Sequence, residues 1–402
     1  MLLFFILAML FILHAQFLIR NLLFNTYEAN FFQFTQSYLF DRHIAALSLL
    51  FTVLCAAAFA MSYGRAYAIR STDADRPPVS DYSIRMIMRV GSLFAIIQII
   101  ANFTLAFYSD FQYQTMAETL ESSAFVFELR AVFLLCLSFL TLNVPPKVLF
   151  TSPQFRLLQI ILVAYALSII VVQSRSRVFE FATIPVFAYL MWTQDRIRLQ
   201  YIAVLLVALV APNVIVLGRL GIPDDTELLI NGLFSIEYSV TLNNFLGGAI
   251  EHRYILQESF TFLNSLWLVI PSPIRTLIGI DVVKSDAYDA LVHIADVRNG
   301  GYSMLAEMFQ NFDWWAIMAF ALFGWIIGAL NRSARRVGSV GIFSAMAPMI
   351  YVAFVVALRN DFGVLLKFIA QLMVVASFLR IFIRFTSPAA PSPSGLVVGS
   401  SA

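Results

Sequence analysis

Long apolar runs separated by short polar or charged turns set the pattern of this chain. A helix that crosses a bilayer needs roughly 20 mostly apolar residues. Ten stretches come near that length: Met1–Ile19, Ile44–Tyr63, Met86–Tyr108, Phe125–Val144, Leu157–Val172, Val178–Trp192, Tyr201–Leu217, Trp314–Leu330, Gly341–Leu358 and Val364–Ile383. The sixth and seventh are short, and tilt less or draw on their polar flanks. The pattern predicts an all-α polytopic membrane protein of about ten transmembrane helices, a single integral membrane domain over residues 1–402. The first run begins at Met1 without a basic segment or a clear small-residue cleavage site, so it reads as a retained span and not a removed signal peptide.

The loops give these spans a direction. Short loops rich in Lys and Arg stay in the cytoplasm. Arg65, Arg70, Arg76 and Arg85 lie in one loop, Lys147 and Arg156 in a second, Arg196 and Arg198 in a third, and Arg332, Arg335 and Arg336 in a fourth. Alternation through ten spans puts all of these on one side with both termini, and residues 386–402 then form a flexible cytoplasmic tail. The loop at 109–124 falls on the other side and carries Asp110, Glu118 and Glu121 but no Lys or Arg. The same alternation exports the turn "QSRSR" at 173–177, a long segment at 218–313 and the turn "RNDFG" at 359–363. Two stretches of the long segment, "SIEYSVTLNNFLGGAI" and "SFTFLNSLWLVIPSPIRTLIGI", are semi-apolar and read as short amphipathic or re-entrant helices at the membrane surface.

Composition sharpens this picture. The chain is 60% hydrophobic and 12% charged, against about 45–50% and 25% in soluble domains, so the excess excludes a soluble enzyme on one anchor. A net charge of +2 carries no nucleic-acid signal. The only cysteines, Cys55 and Cys136, sit inside apolar runs and read as packing residues, with no disulfide framework and no metal site. No nucleotide-binding glycine motif or zinc spacing occurs, so no cofactor is expected.

The exported side concentrates arginine. Arg175, Arg177, Arg219, Arg253, Arg275, Arg298 and Arg359 fall there, and Arg130 lies just inside the fourth span near the same surface. The guanidinium fork matches phosphate in a bidentate way, so arginines converging there suit a lipid-linked diphosphate. The plainer reading makes them topology markers or contacts to ordinary headgroups. Glu180, three residues after Arg177, shares a helix face with it and reads as an intrahelical pair, or else as a carboxylate that positions Arg177 or acts on a sugar hydroxyl. Of the four histidines, His14 reads as a packing or hydrogen-bonding residue, while His252 and His293 in the long loop are either solvated or candidate bases.

The segment "RNGGYSMLAEMFQNFDWWAIMAFALFGWIIG" at 298–328 resembles a stretch of bacterial O-antigen and oligosaccharide repeat-unit polymerases of the Wzy type. The matching residues are Gly300, Gly301, Ser303, Ala306, Glu307, Asn311 and Phe312; where the family continues with glycine, this chain has Asp313, Trp314 and Trp315. "QSRSR" and Arg359 of "RNDFG" look like the family's arginine-bearing turns. The resemblance covers residues from about 160 to 385. It implies a metal-independent glycosyltransferase of the bacterial inner membrane, similar to the lipid-carrier glycosyltransferases of the GT-C class. Such an enzyme moves a growing glycan from undecaprenyl diphosphate to the non-reducing end of a new lipid-linked repeat. The implied partners are the undecaprenyl-diphosphate-linked oligosaccharide and the bilayer, with a chain-length regulator protein left open. The resemblance assigns Arg175, Arg177 and Arg359, then Arg298 and Arg130, to the diphosphate. His293 or Glu307 would orient or deprotonate the acceptor hydroxyl. For Glu307 the plainer role is to stabilise a helix N-terminus. The alternatives are an O-antigen ligase, which would centre on a loop histidine, and a flippase or transporter of lipid-linked sugar, which would show two related halves.

Overall fold

The apolar runs that the structure describes are helical, and no strand occurs among the described residues. The computed structural model describes residues 2–15, 18–19, 22–23, 41–69, 78–109, 129–172, 175–193, 236–253, 303–358 and 362–386, with single positions between 267 and 279. The helices are α1 (Leu2–Leu10, continued by a π-helical turn Phe11–Ala15), α2 (Arg42–Ala68), α3 (Asp81–Tyr108), α4 (Arg130–Asn143), α5 (Pro146–Thr151) and α6 (Arg156–Val171). They continue as α7 (Arg175–Trp192), α8 (Ile236–Glu251), α9 (Met304–Phe312), α10 (Ala316–Ala334), α11 (Ala347–Ala357) and α12 (Phe362–Thr386).

Among the described residues, five helical runs are long and apolar enough to cross a membrane. They are α2, α3, Pro153–Val171, Met304–Ala334 and α12. The stretches read at 125–144 and 341–358 form shorter apolar helices, Arg130–Asn143 and Ser344–Ala357. The stretch at 201–217 lies outside the described residues. Spanning helices must also present apolar side chains outward. On α6 the exposed Leu157, Ile160, Val163, Leu167 and Ile170 form such a stripe, while Leu158, Ile161, Tyr165, Ser168 and Ile169 are buried. That face would be an aggregation liability in water and is the ordinary surface in lipid.

The chain marks its own helix ends. Asp41 accepts the His43 N–H at 2.7 Å to start α2, and Ser80 accepts from Ser83 at 3.2 Å to start α3. Between α9 and α10 the backbone breaks at Asp313, whose φ of 50° leaves the helical region. A side chain there is uncommon in that conformation, which ends α9 one residue ahead of the predicted span.

Small residues set the closest helix contact. A Cβ added at Gly324 would stand 2.3 Å from the Phe59 carbonyl oxygen, and one at Gly328 would stand 2.6 Å from that of Tyr63. The two glycines are one helical turn apart, so α10 lies with its backbone against α2, the small-residue packing that membrane helices favour. Asn331 extends the stripe, donating to the Tyr63 hydroxyl at 3.1 Å. Cys136 packs against Gly91, and both cysteines are buried and unoxidised.

The loops that follow α2, α4 and α10 meet at one end of the bundle. The Val79 N–H donates to the Gly338 carbonyl at 3.0 Å, and the Gly338 N–H donates to Leu142 at 2.9 Å. The Asn143 side chain holds Val340 through both its N–H and its oxygen, and the Trp192 indole donates to Thr141 at 2.8 Å. Tyr82 reaches the Thr386 carbonyl. Helices α3, α4, α6, α7 and α12 leave this end, and their other ends carry the candidate residues.

"SIEYSVTLNNFLGGAI" is helical, as α8, and its residues 242–250 are all buried within the protein, as a re-entrant helix would be. It packs against α9, α2 and the π turn of α1. Leu242, Phe245, Leu246, Ala249 and Ile250 make one apolar stripe at i, i+3, i+4, i+7 and i+8, while Asn243, Asn244, Gly247 and Gly248 lie on the other side of the helix, where Asn243 donates to the His14 carbonyl at 3.1 Å.

Candidate functional site

Four helix ends bring together a buried polar group. Arg177, 6% exposed, projects from the N-terminal part of α7, where helix N–H groups already carry partial positive charge. A cation there needs acceptors. Its Nη1 donates to the Asn102 Oδ1 of α3 at 2.8 Å. The Asn102 Nδ2 donates to the Ser168 Oγ of α6 at 3.0 Å, and that hydroxyl donates to the Tyr165 carbonyl at 2.8 Å. Asn102 therefore uses its acceptor on the arginine and a donor on the serine, which fixes the orientation of both.

Glu180, one turn along α7, meets Arg130 at the start of α4, with Nη1 to Oε2 at 3.4 Å. Helix spacing alone puts Glu180 and Arg177 on one face; the structure gives Glu180 an ion-pair partner on another helix. Phe133, Tyr165 and Phe181 form an aromatic floor, with Tyr165 centroids 4.6 and 5.2 Å from the two phenylalanines. Apolar walls lower the local dielectric and strengthen every charge interaction above them. The described charges, Arg130, Arg177 and Glu180, sum to one positive charge. An anionic group would offset it.

Glu307 belongs to a second buried group. It is fully buried on α9, and its Oε2 accepts the Phe362 N–H at the start of α12 at 2.5 Å. That N–H is one of the unpaired donors of a helix N-terminus, which a carboxylate satisfies well. The plainer expectation of a helix-terminus role is thus met on a different helix from its own, α9 being capped instead by Ser303. The contact joins the Ala-Glu motif to "RNDFG", two segments on which the family resemblance rests.

No family model, curated protein or solved structure matches this chain.

Of the residues singled out in the sequence, Arg130 and Arg177 converge on the same site. Arg175 begins α7, and its side chain lies outside the described residues, as do His293, Arg298 and Arg359 entirely. Asn102, Ser168 and Tyr165 were not anticipated. A signal was present: Gln98 and Asn102 are polar residues one turn apart within an apolar span, and both are 1% exposed. Buried polar groups in spans must find partners, and they mark sites more often than surface charges do.

Proposed function

We propose that the protein polymerises lipid-linked oligosaccharide repeat units at the outer face of a bacterial inner membrane. It would have ten spans and both termini in the cytoplasm. The observation that supports this best is the pair Arg130 and Arg177, held at one bundle end by Glu180 and Asn102. The resemblance of 298–328 to Wzy-type polymerases supplies the reaction. The acceptor hydroxyl oxygen attacks the anomeric carbon of the growing glycan. The bond from that carbon to the undecaprenyl diphosphate oxygen breaks, and the diphosphate leaves with the electron pair. Arg130 and Arg177, with Arg175, Arg359 and Arg298, would stabilise the charge that develops on it. Glu307 or His293 would orient the acceptor hydroxyl or take its proton, and no metal is needed to neutralise the leaving group.

The test is surface glycan on a gel. A deletion strain should show single-repeat caps; loss of all attached glycan would indicate a ligase, and lipid-linked repeats held on the inner face a flippase. Alanine at Arg175, Arg177 or Arg359 should abolish long chains while the protein stays in the membrane. Lysine should restore them only in part, because the fork geometry is lost. Normal-length polymer from all three alanine variants would refute the diphosphate site.

A further inference from the structure

At the opposite end of the bundle, a cavity of about 390 Å³ opens between α3, α4, α12 and the segment 340–344. Its walls include Phe139, Ile342, Phe343 and Ile383, and its rim carries Arg380 and Arg384. Hydrogen bonds frame it on several sides. Tyr82 ties the start of α3 to the Thr386 carbonyl, Asn143 holds Val340, and Ser138 donates to the Ala345 carbonyl at 2.5 Å. The cavity is therefore built into the packing and does not depend on one loose loop.

The two arginines are one turn apart on α12 and share a face, where like charges repel. Among the described residues no carboxylate comes within 4.0 Å of either, and residues 387–402 contain no Asp or Glu. Arg380 is steered to the rim by the Phe343 ring, 5.4 Å from its guanidinium carbon. A free phosphate would want polar contacts on every side, and here the floor is apolar. An amphiphile satisfies both halves.

We propose that this cavity binds one anionic phospholipid of the arginine-rich leaflet. The phosphate sits on Arg380 and Arg384 and the upper acyl chain lies along Phe139, Ile342 and Ile383. Basic pockets between spanning helices hold anionic headgroups in this way. The site is separate from the Arg130–Arg177 group and does not depend on the function proposed for it.

The test is native mass spectrometry of the full-length protein released from detergent with phosphatidylglycerol or phosphatidylcholine added. The wild type should retain one phosphatidylglycerol in preference to phosphatidylcholine. Arg380→Gln with Arg384→Gln should reduce that retention about tenfold or more, as expected for losing at least ~1.4 kcal/mol of phosphate contact. Gly341→Leu probes the floor independently. Gly341 lines the cavity, and a Cβ there meets no atom within 4 Å, so leucine fills space without touching either arginine. It should displace the lipid while leaving a monodisperse protein. Equal retention of the two lipids by the wild type would overturn the proposal. So would unchanged preference in the double glutamine variant or in Gly341→Leu, or full displacement of the lipid by millimolar inorganic phosphate.

Discussion

The Arg130–Glu180 pair gives the sharpest energetic test of the described site. At 3.4 Å, with an effective dielectric of about 20, its gross attraction is roughly 5 kcal/mol. Side-chain exposures of 22% and 11% leave both groups largely desolvated, and that penalty cancels much of the attraction. A net coupling of about 1–3 kcal/mol is expected. Arg130→Gln and Glu180→Gln should each destabilise, and the double variant should cost less than the sum of the two. The assay is reversible unfolding of the purified protein in mixed micelles, with the four proteins compared in one cycle. The charge-swapped pair, Arg130→Glu with Glu180→Arg, should recover much of the coupling, because the ion pair re-forms with reversed polarity. On the proposed diphosphate site it should not recover long glycan chains, because the cation moves from the start of α4 to position 180, one turn along α7 from Arg177. A coupling energy within ~0.5 kcal/mol of zero would refute the pairing. Long chains from the swapped variant would show that only the pair matters, and not the position of the arginine.

Other outcomes follow from the packing and the second buried group. Gly324→Leu drives a side chain into the Phe59 carbonyl, which lies 2.3 Å from the added Cβ, so the variant should aggregate on size-exclusion chromatography while Gly64→Leu, in open space, should not. Glu307→Gln keeps an acceptor for the Phe362 N–H, whereas Glu307→Ala strands it at a cost of about 1–3 kcal/mol, read as lowered thermal stability. If Glu307→Gln keeps native stability yet loses long chains, the carboxylate is needed for chemistry and not only for capping. Cys55 and Cys136 are both buried, so a maleimide should label neither in the native protein and both after unfolding.

The sequence made the helical character of a membrane protein legible because burial in lipid needs long apolar runs, and such runs stand in the described residues as α2, α3, Pro153–Val171, Met304–Ala334 and α12. It also grouped the Lys- and Arg-containing loops after α2, α4 and α10 on one side, and Val79, Leu142 and Gly338 from those loops meet at the end where Tyr82 reaches Thr386. Partners across the bundle were not legible. Helical spacing related Glu180 to Arg177, but nothing local to α7 could show that Arg130, fifty residues earlier in the chain, approaches Glu180 from α4. Glu307 was recognisable as a helix-terminus carboxylate, yet the terminus it serves begins at Phe362, 55 residues away. The burial of α8 was not legible either: its apolar stripe reads like that of a surface helix, while Asn243 on its other side donates to the backbone of the π turn in α1.

The central claim is that buried arginine at the Arg130–Arg177 site holds a polyprenyl diphosphate. The most direct measurement is binding of undecaprenyl diphosphate to the purified full-length protein in nanodiscs, wild type against Arg177→Gln, with undecaprenyl monophosphate as the comparison ligand. The wild type should bind the diphosphate more tightly than the monophosphate, and Arg177→Gln should weaken diphosphate binding about tenfold or more, the loss of one charge-assisted contact worth ~1.5–3 kcal/mol. Equal affinity of the two proteins for the diphosphate would contradict the claim.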